Sequence, residues 1–201
     1  MRELRNGPAR TMREDIPDNE LVAAFKAGDT EALGLLMERH KDAVYGYLLR
    51  LTGRADAADD LFQEVFLKLV KNPSSYSERE KFKAWLFTVA RNAAMDHFRR
   101  DSARRETPLE GDGEKAGAVD LIASAEPGPA DSFYGKDLSR RLEEALASLS
   151  EDQREVFYLR HYSQLSFKEI AELLKVPIGT VLARMSRAAA RLREKLGDGA
   201  Q

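Results

Sequence analysis

The side chains best suited to chemistry lie near the C-terminus, where five cations follow a tight turn. They are Arg184, Arg187, Arg191, Arg193 and Lys195, opposed only by Glu194. An arginine can bind the edge of a guanine through two hydrogen bonds, and both cation types pair with phosphate. The chemistry that this pattern favours is recognition of nucleic acid.

The segment that must position these cations reads as a helix, a tight turn and a second helix. Ser166 is suited to cap the first helix, and Glu169 lies three residues later, as a capping box requires. Pro177 and Gly179 then interrupt the chain before Val181 restarts an apolar stripe. These are the parts of a helix-turn-helix, whose second helix lies in the DNA major groove. The alternative is an ordinary amphipathic hairpin whose basic face is only solvated.

Catalytic chemistry is not indicated. The acidic pairs Asp59-Asp60 and Glu143-Glu144 fall on predicted helix surfaces, and no phosphate loop or nucleophile–base set accompanies them. The absence of cysteine excludes disulfides and thiolate zinc sites, and the three histidines show no metal-ligand spacing. We therefore expect no enzyme, no metal and no cofactor.

Length and charge restrict the protein class further. A chain of 201 residues holds one or two domains, and its net charge is only −2. Residues 101–137 carry 4 basic and 9 acidic side chains. The chain lacks a signal peptide and an apolar run near the eighteen or so residues of a membrane span, so we expect a soluble, cytoplasmic protein. Met12 is an alternative to Met1 as the true start.

Helical spacing of apolar residues covers both ends of the chain, and no segment alternates as a strand does, which predicts an all-α fold. Gly28-Asp29 divides the first helices, and Asp56 with Asp59 resembles a capping box that opens another. A further helix from Phe82 is predicted to end near Arg100. Trp85 shares the apolar spacing of this helix, which favours core packing over a role as a stacking platform.

The middle of the chain differs in composition. From Glu106 to Asp131 there are seven acids, one base, four glycines and three prolines. Such a segment buries too little apolar surface to offset its ordering entropy, which predicts a flexible acidic linker. The predicted order is a disordered extension, a helical domain, the linker, a second helical domain and a disordered tail, over residues 1–17, 18–100, 101–137, 138–196 and 197–201.

Three blocks of sequence resemble group 4, or extracytoplasmic-function (ECF), sigma factors of the sigma-70 family of bacterial RNA polymerase subunits. They run from Asp59 to Leu69, from Phe82 to Arg100, and from Leu149 through the helix-turn-helix. The resemblance implies that the first helical domain is sigma region 2 and the second is the region 4 helix-turn-helix. It also implies a subunit that selects promoters and has no catalytic centre.

The resemblance further implies site residues. One face of the helix opened at Asp56 would bind core polymerase through the β′ subunit: Asp56, Asp59, Asp60, Gln63, Glu64 and Leu67. The −10 element would be read by Ser75, Lys81, Lys83, Arg91, Asn92, Asp96, Arg99 and Arg100, with Ser74–Lys81 as the specificity loop that captures a flipped base. The −35 element would be read by Ser166, Thr180, Leu182, Arg184, Arg187 and Arg191.

The implied partners are core RNA polymerase (β′ and β subunits), promoter DNA and an anti-sigma factor, with no direct membrane insertion. Two positions depart from the family pattern. Leu182-Ala183 stands where a Lys or Arg followed by Ser is usual, which predicts an atypical −35 sequence. Lys175 stands where the turn favours Gly, and a Cβ costs ~1–2 kcal/mol there if the backbone is left-handed.

Two other readings remain at this point. A regulator with a similar C-terminal helix-turn-helix, as in response-regulator output domains, would lack the Phe82–Arg100 block and would usually carry a sensory domain. A structural or scaffold protein is the alternative if the chain fails to bind polymerase.

Overall fold

The computed structural model describes residues 16–77, 81–106 and 134–197, and within them it contains eight α-helices and no strand. The helices are α1 (Asp18–Lys26), α2 (Thr30–Thr52), α3 (Ala55–Lys71), α4 (Phe82–Glu106), α5 (Tyr134–Ala147), α6 (Glu151–Tyr162), α7 (Phe167–Leu174) and α8 (Ile178–Gly197). The predicted all-α fold is confirmed. Most of the predicted linker, the two terminal segments and residues 78–80 of the predicted specificity loop lie outside the described residues.

Helices α1 to α4 form the first domain, in which α2 packs against α1, α3 and α4. Its core includes the fully buried Leu36, Leu48, Val65 and Leu86. Trp85 is buried as well, and its indole Nε1 donates a hydrogen bond to the carbonyl of Ser75 at 3.1 Å. Core packing of this tryptophan is thus confirmed, and its indole also anchors the turn that follows α3.

A side-chain cap was predicted correctly at the start of α2 and wrongly at the start of α3. The Asp29 side chain accepts from the backbone amides of Glu31 and Ala32 and so caps α2. The predicted capping box at Asp56 is wrong, because α3 begins at Ala55 after Arg54 and has no side-chain cap. Asp56 lies in the first turn, where its carboxylate accepts hydrogen bonds from the Arg54 guanidinium instead.

Helix α4 is longer than the sequence indicated. It continues past Arg100 to Glu106, and the His97 ring lies 3.4 Å from the Asp101 carboxylate one turn later. Helix α5 likewise begins at Tyr134 rather than near Leu138. Helical backbone therefore extends into both ends of the segment predicted as linker.

Helices α5 to α8 form the second domain, in which α8 packs against α5, α6 and α7. Capping boxes at Ser150–Gln153 and Ser166–Glu169 open α6 and α7 as predicted. Lys175 ends α7 with a backbone φ of 56°. This is the left-handed conformation in which a residue with a Cβ is strained.

An arginine that the sequence analysis did not single out joins α5 to α6. The Arg154 guanidinium donates to the carbonyls of Leu146, Ala147 and Leu149 at 3.2, 3.2 and 2.9 Å. These carbonyls lie at the end of α5, where a helix leaves acceptors without partners. Arg154 therefore fixes the turn between α5 and α6 within the second domain.

The two domains are in contact. Helix α6 packs against α2, and α7 packs against α4. The buried apolar residues of both domains form one connected cluster. This contact positions the predicted DNA-binding surfaces relative to each other.

Candidate nucleic-acid and polymerase interfaces

One face of α3 carries the residues predicted to bind polymerase. Leu61, Val65 and Leu69 turn toward the core. Five of the six predicted residues are exposed on the other side: Asp56, Asp59, Asp60, Gln63 and Leu67. The sixth, Glu64, is half-buried, and its carboxylate lies 3.9 Å from the Arg100 guanidinium.

The exposed apolar residue Val70 and the pKa shifts of Asp56 and Tyr45 were not anticipated for this face. Val70 is exposed one turn beyond Leu67, so the two form an apolar spot beside the acidic residues. The Arg54 hydrogen bonds lower the pKa of the Asp56 carboxyl below its ordinary value. Burial, aided by the Asp59 charge, raises the pKa of Tyr45. Asp56 is therefore ionised at neutral pH, and Leu67 with Val70 gives the acidic face an apolar margin.

The predicted −10 residues fall in four places. Arg91, Asn92, Asp96 and Arg99 line an open cleft along α4, which Lys68 of α3 also lines. The Arg99 guanidinium is paired with Asp96 one turn earlier. A cleft with cations and an amide along one wall suits a nucleic-acid backbone and base edges. Lys68 was not predicted to belong to the −10 site. Its spacing from the buried residues of α3 does indicate that its side chain is exposed.

Ser75 and Lys81 lie at a second cleft, across which stand Ser166 and Glu169 of the other domain. Lys83 lies apart from both groups, at a cleft that includes Asp18 and Arg39. The Arg100 guanidinium lies 3.9 Å from the carboxylate of Glu64 in α3. The structure brings together only part of the predicted −10 set.

The second helix of the helix-turn-helix, α8, presents the predicted −35 residues unequally. Leu182, Arg187 and Arg191 are exposed, whereas Thr180 and Arg184 are half-buried. Ile178 is exposed one turn before Leu182, which adds an unpredicted second apolar group to the surface. Ser166 is exposed, but its hydroxyl is occupied in capping α7.

The arginines of α8 also differ in their partners. The Arg184 guanidinium lies 2.5 Å from the Asp152 carboxylate of α6. Arg187 donates to the Ala183 carbonyl at 3.2 Å, and Arg191 pairs with Glu194 at 3.0 Å along the same helix. Arg184 is therefore held against the domain, while Arg187 and Arg191 extend along the exposed surface.

Two ion pairs join the domains at residues of the predicted −10 set. Arg91 donates from Nε and Nη2 to the two carboxylate oxygens of Glu155, at 2.7 and 3.3 Å. The Lys81 ammonium lies 2.9 Å from the Glu169 carboxylate. Glu155 was missed by sequence analysis, because a contact between residues 64 positions apart has no local signal.

The charges at these pairs are stabilised. Burial opposes ionisation of Arg91, but the Glu155 hydrogen bonds outweigh it and raise the pKa of the guanidinium. Burial likewise raises the pKa of Glu169, but hydrogen bonds from Ser166 and Lys81 lower it overall. Both groups are therefore ionised at neutral pH.

Other kinds of site are not found among the described residues. No group of three or more histidine, aspartate or glutamate side chains is arranged to hold a metal ion there. Within the same residues no helix is long and apolar enough to cross a membrane.

Comparison with known proteins identifies both domains. The sequence model of Sigma-70 region 2 matches residues 36–104, and that of Sigma-70, region 4 matches residues 139–192. The chain is 30% identical to the ECF RNA polymerase sigma factor SigW of Bacillus subtilis, over 88% of this chain and 95% of SigW. It is 33% identical to the RNA polymerase sigma factor CarQ of Myxococcus xanthus, over 87% and 94% of the two chains.

A solved structure is similar as well. It is the sigma factor RpoE in complex with the anti-sigma factor NepR, from Bartonella quintana. The similarity covers 82% of this chain and 96% of that one, with a TM-score of 0.60 and 26% identity.

Proposed function

The chain belongs to the sigma-70 family as an extracytoplasmic-function sigma factor, and from this premise we propose that it joins core RNA polymerase and directs transcription from promoters with specific −10 and −35 elements. One observation carries the proposal. Regions 2 and 4 follow each other in one chain, and region 4 ends in a helix-turn-helix whose α8 exposes Arg187 and Arg191. A DNA-binding helix joined to a polymerase-binding domain suits a promoter-selecting subunit.

We assign polymerase binding to the exposed face of α3, in region 2. The face combines the carboxylates of Asp59 and Asp60 with the apolar side chains of Leu67 and Val70. Charge gives such a surface its choice of partner, and apolar contact adds affinity. A basic and apolar helical surface on the β′ subunit is the complementary partner.

We assign the −10 element to the cleft along α4. Arg91, Arg99 and Lys68 would follow the phosphates of a separated strand, while Asn92 and Asp96 would bond base edges. Bases in a separated strand expose edges that a duplex hides, and this is why polar side chains in a cleft suit them. Lys83, which lies apart, would contribute only as a distant charge.

We assign the −35 element to α8. Arg187 would read a base edge and Arg191 a phosphate, and Leu182 with Ile178 would contact thymine methyl groups in the major groove. The departure from the usual basic residue at Leu182 makes this surface more apolar. A −35 element containing thymine at the facing positions is therefore expected.

We also propose an anti-sigma factor as a partner. The support is the similarity to RpoE of Bartonella quintana, which was solved with the anti-sigma factor NepR. In this proposal the chain is not an enzyme, because the chemistry of RNA synthesis belongs to the polymerase. It would act in the cytoplasm, where bacterial RNA polymerase works.

Runoff transcription tests the function. Core RNA polymerase from the bacterium that encodes the chain is mixed with fragmented genomic DNA, with and without the purified protein. Discrete transcripts that need the protein and start at a shared sequence pattern are expected. Failure of the chain to bind core enzyme, or to add transcripts to those of core alone, would contradict the proposal.

The polymerase assignment has its own test. Asp60→Lys together with Gln63→Lys reverses the charge of the α3 face, and we expect it to weaken competition for core polymerase by about tenfold or more. Both side chains are exposed, so helicity should be unchanged. Glu20→Lys with Asn19→Lys, on exposed positions of α1, is the matched control. Equal competition by both double variants would show that the face is wrongly assigned.

A further inference from the structure

Two successive backbone carbonyls in the turn after α3, at residues 72–77, are held by side chains from two different helices. The Trp85 indole of α4 donates from Nε1 to the Ser75 carbonyl at 3.1 Å. The Lys26 ammonium, in the last turn of α1, donates to the Tyr76 carbonyl, also at 3.1 Å. Because α1 and α4 each supply one donor, the turn is fixed relative to both helices.

Packing holds the ring of Tyr76 in the same place. Tyr76 is 1% exposed, and its ring centroid lies 5.5 Å from that of Phe82 and 5.8 Å from that of Trp85. The Phe82 and Trp85 rings stack on each other at 5.7 Å. The Lys26 ammonium lies 5.5 Å from the Tyr76 ring centroid, within the range of a cation–π contact. Lys26 therefore contacts both the carbonyl and the ring of one residue in a buried aromatic cluster.

The same turn directs the side chain of Ser75. This residue is exposed, and its backbone amide and its hydroxyl both donate to the Asn72 carbonyl, at 3.0 and 2.7 Å. Since the hydroxyl proton is used in this bond, the oxygen keeps its lone pairs for a donor from outside. Ser75 thus presents an acceptor whose position is set by the turn, and Lys81 lines the same cleft.

An acceptor held in this way suits one base of a separated strand. A mobile hydroxyl can follow a donor on any base, whereas one that is fixed before binding accepts only from a donor that reaches its position. Adenine, cytosine and guanine carry amino groups that can donate, and thymine carries none. The turn therefore favours a base with an amino group over thymine.

We propose that Lys26 is a positioning residue for −10 reading: with Trp85 it fixes the turn so that the Ser75 oxygen accepts from the amino group of one base. This inference rests on the proposed function and deepens it, because it gives α1 a part in promoter selection. Lys26 acts through the turn and does not itself contact DNA. Thymine is the disfavoured base at the position that the turn reads.

The first test follows the turn in the free protein. Trp85 is the only tryptophan of the chain and is buried, so its emission reports the turn that its indole binds. Lys26→Met keeps an apolar side chain but removes the donor, and we expect a red shift and stronger quenching by acrylamide. Lys41→Met is the matched control, because it removes the same charge from the same domain, where the ammonium pairs with Glu38 on the surface of α2. Its emission should equal that of the parent.

The second test follows promoter selection by the holoenzyme, with a library randomised in the −10 element. Ser75→Ala removes the acceptor and so identifies the position that the turn reads. At that position Lys26→Met should lower the preference against thymine about fivefold, which corresponds to the loss of one hydrogen bond. Lys26→Arg should restore the preference, because a guanidinium can donate to the same carbonyl. Preference within the −35 element should be unchanged in all three variants.

Three results would overturn the positioning role. They are unchanged Trp85 emission in Lys26→Met, unchanged preference at the position identified by Ser75→Ala, and no change at any position in Ser75→Ala itself. A loss spread evenly over all promoter positions would overturn it as well, since a general loss of stability has that effect. Lys26 is exposed, so the variant should fold, and circular dichroism checks this.

The proposed function can fail separately. If the parent gives no transcript with core polymerase while Trp85 emission still shifts only in Lys26→Met, the turn is held as described, but the sigma function is wrong and this role with it. If transcripts form and Lys26→Met selects promoters as Lys41→Met does, the function holds and the positioning role does not.

Discussion

At the level of single residues, the arginines of α8 have different roles because their surroundings differ. Arg184 is paired with Asp152 and half-buried, so its first contribution is to join α8 to α6. Arg187 and Arg191 are exposed, and among the described residues their hydrogen bonds are made within their own helix. The sequence places all three at helical spacing, but only the partners separate a positioning arginine from one that is available to DNA.

We expect Arg187→Ala to relax preference at particular −35 positions, because a bidentate arginine contact discriminates one base from the others. Arg191→Ala should instead weaken binding evenly across sequences and lower the salt slope by about one, as loss of one phosphate contact does. Holoenzyme binding to a randomised −35 library at two salt concentrations measures both effects. Sequence-blind losses of equal size from the two variants would exclude base reading by Arg187.

The buried hydroxyl of Tyr47 gives a second residue-level prediction. Tyr47→Phe removes a buried hydroxyl that has no hydrogen-bond partner among the described residues. The free energy of unfolding should therefore rise by about 1 kcal/mol and the melting temperature by about 2–4 °C. Tyr45→Phe is the matched control, because the Tyr45 hydroxyl is hydrogen-bonded to Asp59. A melting temperature of Tyr47→Phe below that of the parent would contradict the prediction and show that the hydroxyl is hydrogen-bonded.

At the level of elements, sequence reasoning succeeded where the interactions are local. The capping boxes at Ser150 and Ser166 join residues three apart, so the residue types at that spacing predict them. Asp56 failed for a reason equally local: the Arg54 guanidinium, two residues away, binds the carboxylate that the prediction gave to the backbone. Helix α3 begins one residue before Asp56, so this carboxylate lies in the first turn and not at the cap.

The turn between α7 and α8 contains a strain that can be relieved. Lys175 has φ 56°, a conformation that costs a residue with a Cβ ~1–2 kcal/mol and costs glycine almost nothing. Glycine also loses more entropy on folding, so we expect Lys175→Gly to raise the free energy of unfolding by about 0.5–1 kcal/mol. Urea denaturation followed by circular dichroism measures it.

The reverse change provides the control for that prediction. Gly53 ends α2 at φ 68°, also in the left-handed region. Gly53→Ala should lower the urea midpoint by an amount similar to the rise produced by Lys175→Gly. If both substitutions shift the midpoint in the same direction, backbone strain does not account for the effect.

At the level of the whole molecule, the order of the two domains could be predicted from the sequence, whereas the contact between them could not. Helical periodicity on either side of an acidic middle predicted two helical domains, which the structure confirms. The Arg91–Glu155 pair joins residues 64 apart, and nothing near Glu155 distinguishes it from a solvated helix residue. Contacts between domains depend on the fit of two whole surfaces. They therefore produce no periodicity or fixed residue spacing that could be recognised in the sequence.

The contact between the domains leads to a prediction about DNA binding by the free protein. The chain has a net charge of −2, and Arg91 and Lys81 of the predicted −10 set are paired with Glu155 and Glu169 of the second domain. Since phosphate contacts dominate nucleic-acid affinity, the free chain should bind promoter duplex weakly and with little sequence preference. Core polymerase would add its own contacts to the DNA, so the holoenzyme should bind the same duplex specifically. Gel-shift titration at about 0.15 M salt compares the two, with a duplex of scrambled −35 and −10 sequence as control. Tight, sequence-specific binding by the free chain would contradict the prediction, because the chain would then read DNA without polymerase contacts and with the two ion pairs in place.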